Sequence, residues 1–165
     1  MAKASEKEQR KAATFNLDDK DFEILRLLQN NGKLTVREIA SRIHLSPTPT
    51  HERIKRLENE KVIKGYAALI DNRKVDKHIV VLCHVSLKEH DKKTAQAFIS
   101  GITGFKEVVE CYNISGEFDF MLKIISESME SYHHFFINYL GGVKGIGQTK
   151  SIFVMDVIKD THEVI

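Results

Sequence analysis

Thr35-Val36-Arg37-Glu38-Ile39-Ala40-Ser41-Arg42-Ile43-His44-Leu45-Ser46-Pro47-Thr48-Pro49-Thr50-His51-Glu52-Arg53-Ile54-Lys55-Arg56-Leu57 is the stretch that decides the first half of the fold. Thr35-x-x-Glu38 is a capping box that opens a helix. Val36, Ile39, Ala40 and Ile43 follow at offsets 0, 3, 4 and 7, one apolar stripe at the helical period. Two turns are too few to be stable alone, so this helix must pack on neighbours. His44-Leu45 turns the chain. A second helix opens with Ser46 as N-cap and Pro47 at the first helical position, where the missing N–H costs little. Thr50, Ile54 and Leu57 face inward, which leaves Thr48, His51, Glu52, Arg53, Lys55 and Arg56 on the outer faces.

Upstream, Leu17, Ile24, Leu25 and Leu28 form another apolar stripe. Asp18 and Asp19 favour the N-terminus of that helix, and Asn30-Asn31-Gly32 ends it, with Gly32 expected as a left-handed C-cap. Three short helices with a tight turn between the last two describe a helix-turn-helix unit. Residues 1–16 are polar and aperiodic and read as a flexible arm. Downstream, Val62–Ile70 reads as a bent strand or small wing. Five of the seven residues of Asp71–Lys77 are charged, which makes that stretch a linker.

Beyond the linker the period changes. His78–Leu87, Val108–Ser115, Phe118–Ser126 and Gln148–Ile158 read as strands. Thr94–Ile102 and Met129–Leu140 read as helices. The order βαββαβ predicts a ferredoxin-like sandwich, one antiparallel four-stranded sheet with both helices on one face. Val80, Leu82, Val109, Met121 and Ile152 cannot all point one way across the strands, so the other face needs a cover, and a second copy of the chain is the simplest. The fold class is therefore α+β, a winged helix-turn-helix followed by a βαββαβ domain. The expected segments are an arm at 1–16, a helix-turn-helix domain at 17–70, a linker at 71–77 and a second domain at 78–165.

Composition sets the outer limits. No apolar run in the 165 residues approaches the ~18 that a membrane span needs. Two cysteines outside any CxxC pair give neither a disulfide framework nor a zinc pattern and fit reduced thiols in a cytoplasmic protein. Net charge is +2, but residues 33–64 hold 8 basic against 4 acidic side chains, which points to a polyanionic partner.

The run Ser46–Glu58, with Ile63-Lys64-Gly65-Tyr66-Ala67-Ala68-Leu69 after it and Leu17-Asp18, Asp21 and Glu38-Ile39-Ala40 before it, strongly resembles the Lrp/AsnC family of transcriptional regulators. Tyr112-Asn113-Ile114-Ser115-Gly116-Glu117-Phe118-Asp119-Phe120, with Gly142-Val143 and Thr149, is similar to the same family in the second half. The resemblance covers about 17–160. It implies a winged helix-turn-helix on double-stranded DNA and a C-terminal domain that dimerises and senses amino acids. It also implies homodimers that commonly assemble further, often into octamers. Two departures concern glycine: the family usually has Gly where His44 and Lys61 stand. Asn59 is the alternative turning residue after the third helix, or else that helix runs longer.

DNA binding needs side chains that read base edges and others that hold phosphates. Thr48, His51 and Glu52 suit base edges. Arg53, Lys55 and Arg56 suit phosphates, Ser46 adds a hydroxyl at a helix start, and Thr35 and Arg37 are placed to clamp the backbone. Arg53 has an alternative inside the domain, pairing with Glu23 or Glu60. Glu52 has one in Lys55 or Arg56. For the effector, the resemblance singles out Gly116, Glu117, Phe118 and Asp119 at a dimer interface, with Thr149 nearby. A Gly turn exposes N–H groups for a carboxylate and Asp119 supplies charge for an ammonium. The alternative for Asp119 is structural, bonding its own turn.

Other features carry less. Cys111 reads as a buried strand thiol. His78, His84, His133 and His134 fit no metal-ligand spacing. Gly141, Gly142, Gly145 and Gly147 follow a helix and lack Gly-Lys-Ser/Thr, so they are no phosphate loop. No nucleophile, base and orienter occur together, so no enzyme and no cofactor are expected beyond an amino-acid effector. The expected function is sequence-specific transcriptional regulation tuned by a small amino acid. The alternatives are a DNA-wrapping architectural protein and an amino-acid sensor acting by protein contact.

Overall fold

The computed structural model describes residues 16–165, so the expected arm lies, apart from Asn16, outside the described residues. The chain divides into two compact units. One runs to Ala68 and takes in Asp160–Ile165, and the other is Leu69–Lys159.

In the first unit, α1 (Asp19–Asn30), α2 (Val36–Arg42) and α3 (Pro47–Asn59) surround a core of Ile24, Leu25, Ile39, Ile43, Ile54 and Leu57. Each of these residues lies on an apolar stripe read from the sequence. The Thr35–Glu38 capping box forms. A second box, missed from sequence, opens α1: the Asp18 carboxylate accepts the Asp21 N–H at 2.9 Å and Asp21 accepts the Asp18 N–H at 3.1 Å.

Four local expectations are corrected here. Gly32 does not cap α1 in the left-handed region; Asn31 ends it in extended backbone, with its side chain accepting the Lys33 N–H at 3.0 Å. Ser46 sits at the N-cap of α3 but its side chain makes no capping bond. Instead the buried Thr50 hydroxyl donates back to the Ser46 carbonyl at 3.0 Å, which satisfies its own polar group. Lys61 itself takes the left-handed turn after α3, at φ 58°, and Asn59 remains helical. His44 takes the other, at φ 56°. Val62–Ile70 forms no strand; among the described residues this unit offers no strand for it to pair with, and only Val62 and Ile63 press on the core.

The second unit opens with a short 3-10 turn at Asn72–Val75 inside the charged stretch, capped by Asp71. Then come β1 (Ile79–Leu87), α4 (Lys92–Ile102), β2 (Val108–Asn113), β3 (Phe120–Ser126), α5 (Met129–Asn138) and β4 (Ile146–Phe153). The sheet is antiparallel in the order β2-β3-β1-β4, as a βαββαβ sandwich requires. The last strand begins two residues before the expected Gln148 and stops at Phe153 rather than Ile158. Pairing sets that limit, because Val81, opposite Phe153, lies near the start of β1.

Register assigns the faces. Val81, Cys83, Val85 and Leu87 of β1 and Phe120, Leu122 and Ile124 of β3 pack on Phe98, Ile102, Tyr132 and Phe135 of the helices. Of the five residues expected not to share a single face, Val80, Leu82, Met121 and Ile152 lie together on the face away from the helices. Val109 stands at a register shift in the edge strand β2.

Cys111 is exposed and Cys83 is the buried thiol, the reverse of the emphasis drawn from sequence. β2 is an edge strand, so its helix-facing side is only partly roofed. Burial pushes the Cys83 thiol up to about 11. Titration with an aromatic disulfide reagent at pH 8 should therefore report one reactive thiol per folded chain and two after unfolding. Because the thiol is raised from its ordinary 9.0, its contribution to stability is complete below pH 9 and is lost as pH rises through about 11.

Candidate functional site

On α3, Thr48, His51, Glu52 and Lys55 are all exposed and fall at offsets 0, 3, 4 and 7, so they form one outward stripe. Ile54 and Leu57 anchor the opposite face in the core. Arg53 and Arg56 lie beside the stripe, and both are engaged within the unit. Arg53 donates through Nη1 to Asp18 at 2.7 Å and to Asp21 at 2.8 Å, and Arg56 donates through Nη2 to the other Asp21 oxygen. Asp21 is wholly buried. Its bond to the Asp21 N–H, and then Arg53, hold the Asp18 carboxyl below the usual range.

The expected partners Glu23 and Glu60 are thus replaced by Asp18 and Asp21. Glu23 is already held by Lys20 at 2.9 Å, and the same ammonium donates to the Ile43 carbonyl at the end of α2 at 2.9 Å. Sequence reading missed Asp21 because a charged residue inside an apolar stripe becomes meaningful only once α3 is laid against α1. Thr35 and Arg37 are exposed at the start of α2, where the Thr35 hydroxyl also donates to Glu38 at 2.7 Å. Ser46 is exposed. Sequence reading also missed Tyr66, which donates to Glu58 at 2.9 Å; burial, and then that carboxylate, push its hydroxyl up to about 12.

The candidate ligand site sits at one end of the sheet. Asp119, at the mouth of β3, accepts the Leu87 N–H at 2.8 Å through Oδ2 and meets His90 Nδ1 at 3.0 Å through Oδ1. Its carboxylate thus reaches across to the end of β1 rather than bonding its own turn. Asn113 donates to the Asp119 carbonyl at 3.0 Å. Leu87, His90, Asp91, Lys92, Asn113 and Asp119 line a cleft of about 260 Å³ with Ala95 and Phe120. Asp91 caps α4 by accepting the Thr94 N–H at 2.8 Å, and that bond lowers its carboxyl. Carboxylates beside Lys92 and a helix start offer complementary charges for a zwitterion.

Only Asp119 of the five expected effector residues lines this cleft. Gly116, at φ 118° with open space around it, and Glu117 are exposed on the loop. Phe118 is buried and stacks on His84, ring centroids 5.2 Å apart. Thr149 is paired with Val85, whose carbonyl accepts the Asp119 N–H, so the two flank one residue of β1. His90 and Lys92 were missed; the Asp91-x-x-Thr94 cap was the one signal that could have located that corner. Among the described residues, no three His, Cys, Asp or Glu side chains gather to hold a metal ion. No helix there is long and apolar enough to cross a membrane.

Asp119→Ala strips the Leu87 N–H of its acceptor in a largely buried corner. The second unit is expected to lose about 2 kcal/mol, read as a fall in Tm of roughly 10 °C. Glu117→Ala, on the exposed loop, should leave Tm within about 1 °C.

Comparison with known proteins agrees with both units. Residues 17–64 match the winged helix-turn-helix DNA-binding model and residues 80–164 the Lrp/AsnC ligand binding domain. The chain is 34% identical over 163 residues to the leucine-responsive regulatory protein of Haemophilus influenzae, covering 99% of this chain and 96% of that one. It is 31% identical over 150 residues to the protein of the same name from Escherichia coli, covering 91% and 92%. A transcriptional regulator of Neisseria meningitidis, solved as a complex with L-Met, superposes with TM-score 0.86 at 32% identity, over 91% of this chain and 97% of that one. An AsnC family regulator of Agrobacterium tumefaciens gives 0.85 at 32% identity, over 90% and 97%. With both halves matched in order and nearly the whole length aligned to regulators rather than enzymes, the chain belongs to the Lrp/AsnC family of transcriptional regulators.

Proposed function

We propose that the protein is a cytoplasmic, sequence-specific DNA-binding regulator whose DNA binding or assembly responds to a small amino acid. The observation that carries the reading is the exposed stripe Thr48-His51-Glu52-Lys55 on a helix whose other side is fixed in the core. Thr48, His51 and Glu52 read base edges in the major groove. Lys55, Arg37 and the hydroxyls of Thr35 and Ser46 hold phosphates. Arg53 and Arg56 chiefly orient α3 through Asp21 and present their remaining N–H groups to the backbone.

In this reading 17–70 is the DNA-binding domain, 71–77 the linker and 78–165 the sensing and oligomerisation domain. The effector binds at the Asp119 corner, with Gly116, Glu117, Phe118 and Thr149 completing the site in the assembled protein. The sheet face away from the helices, where Val80, Leu82, Met121 and Ile152 stand beside His84, Lys123 and Lys150, supports a homodimer through that face, with octamers as the higher assembly. A ligand that favours one assembly shifts DNA binding by its differential affinity.

Fluorescence anisotropy at fixed salt tests this. DNA from upstream of the protein's own gene is compared with a scrambled duplex, with and without single amino acids, L-Met among them. Tighter binding to the upstream DNA that changes with an amino acid is the expected result. Equal binding to both duplexes points to the architectural alternative, and binding to neither refutes autoregulation. A footprint on the bound DNA should show protection repeating at about one helical turn, ~34 Å, or its multiples.

A further inference from the structure

Gln29, near the end of α1, uses both ends of its side-chain amide on one short segment. Its Nε2 donates to the His162 carbonyl at 2.9 Å and its Oε1 accepts the Ile165 N–H at 3.3 Å. One amide thus supplies a donor to one main-chain group and an acceptor to another three residues further on. The contact depends on backbone and not on the side chains of the segment. Beside it runs an apolar groove of about 720 Å³, walled by Leu17, Phe22, Leu25 and Val62 and bordered along one rim by His162, Val164 and Ile165. The same six residues, Asp160–Ile165, cluster with the helix-turn-helix unit, whereas the strand that precedes them belongs to the other unit.

We propose that the rim of this groove at Gln29 is a docking surface on the helix-turn-helix unit for the chain's own segment Asp160–Ile165, which acts as a detachable strap. Attachment is slight by design of its contacts. Val164 remains 85% exposed and Ile165 46%, so the segment rests on two hydrogen bonds and partial apolar cover. Its approach, 154–159, has no regular structure, with Met155 and Ile158 at 93% and 90% exposure. Release of the strap frees the Gln29 amide and opens the rim of the groove that His162, Val164 and Ile165 border.

Hydrogen–deuterium exchange read by mass spectrometry tests the proposal without DNA or effector. Three proteins are compared: the full chain, Gln29→Ala, and a chain ending at Lys159. Exchange in 17–29 and 62–66 is expected to quicken several-fold in both variants, with 36–57 and 79–153 unchanged. Unchanged exchange at 17–29 in both variants overturns the proposal. So does faster exchange spread across all of 19–59, which would make the segment part of the unit's fold rather than a strap. The chain ending at Lys159 guards against Gln29→Ala acting through the helix itself.

Discussion

Asp21→Ala is expected to lower the stability of the helix-turn-helix unit by about 3 kcal/mol, near the low end of what breaking a buried ion pair costs. Three losses combine. The Asp18 N–H loses its capping acceptor, Arg53 loses its bond to the buried oxygen, and Arg56 loses the other. The guanidiniums are 28% and 45% exposed and regain some water, which keeps the figure from rising further. For a unit of this size the Tm should fall by roughly 15 °C. Calorimetry checks it, with the transition of the sensing unit as an internal reference. Asp19→Ala, exposed in the same helical turn, removes a comparable charge from the helix start but no buried contact. It should cost no more than about 0.5 kcal/mol. Equal costs at the two positions would mean that only the helix dipole is at work. Arg53→Ala and Arg56→Ala, singly and together with Asp21→Ala, should be strongly non-additive, since all three share one carboxylate.

The triple substitution Thr48→Ala, His51→Ala, Lys55→Ala is expected to weaken specific DNA binding on the order of a hundredfold, from about 1 kcal/mol per lost contact. These side chains are exposed and make no contact that the fold depends on, so Tm should stay within about 1 °C. Ala is also a better helix former than Thr or His, which favours the folded state slightly. Anisotropy on a specific and a scrambled duplex separates the contributions. The specific duplex should lose most of its advantage, while the scrambled one weakens only through Lys55. A loss of binding accompanied by a fall in Tm would show that the stripe is structural. Retained discrimination between duplexes would move base reading elsewhere on the unit.

What the sequence disclosed depended on how far each interaction reaches along the chain. The Thr35–Glu38 box spans three residues and the apolar stripes a few turns, so α2, α3 and the core of Ile39, Ile43, Ile54 and Leu57 were legible directly. The strands were legible in kind because their segments are rich in Val, Ile and Leu, yet their ends were set by partners. β4 stops where β1 has little left to offer, and Val62–Ile70 never becomes a strand for want of a neighbour. Asp21 with Arg53 spans 32 residues and Asp119 with Leu87 also spans 32. No local pattern encodes either pairing. The ligand corner was half read for the same reason: the Gly116–Asp119 loop is a local motif, but His90 and Lys92 join it only through the pairing of β1 with β3.

Burial of one carboxylate under two arginines also changes how the protein counts ions. Each phosphate neutralised on duplex DNA releases condensed counterions and steepens the dependence of log affinity on log salt by about 0.9. Residues 33–64 carry 8 basic side chains, and Arg53 and Arg56 are already matched by the two carboxylates of Asp18 and Asp21. Their charge is largely spent inside the protein, so each subunit should release about two fewer cations than its composition suggests. Affinity for DNA then tolerates a saltier interior than a count of lysines and arginines would predict, and a larger share of it rests on contacts that distinguish one sequence from another.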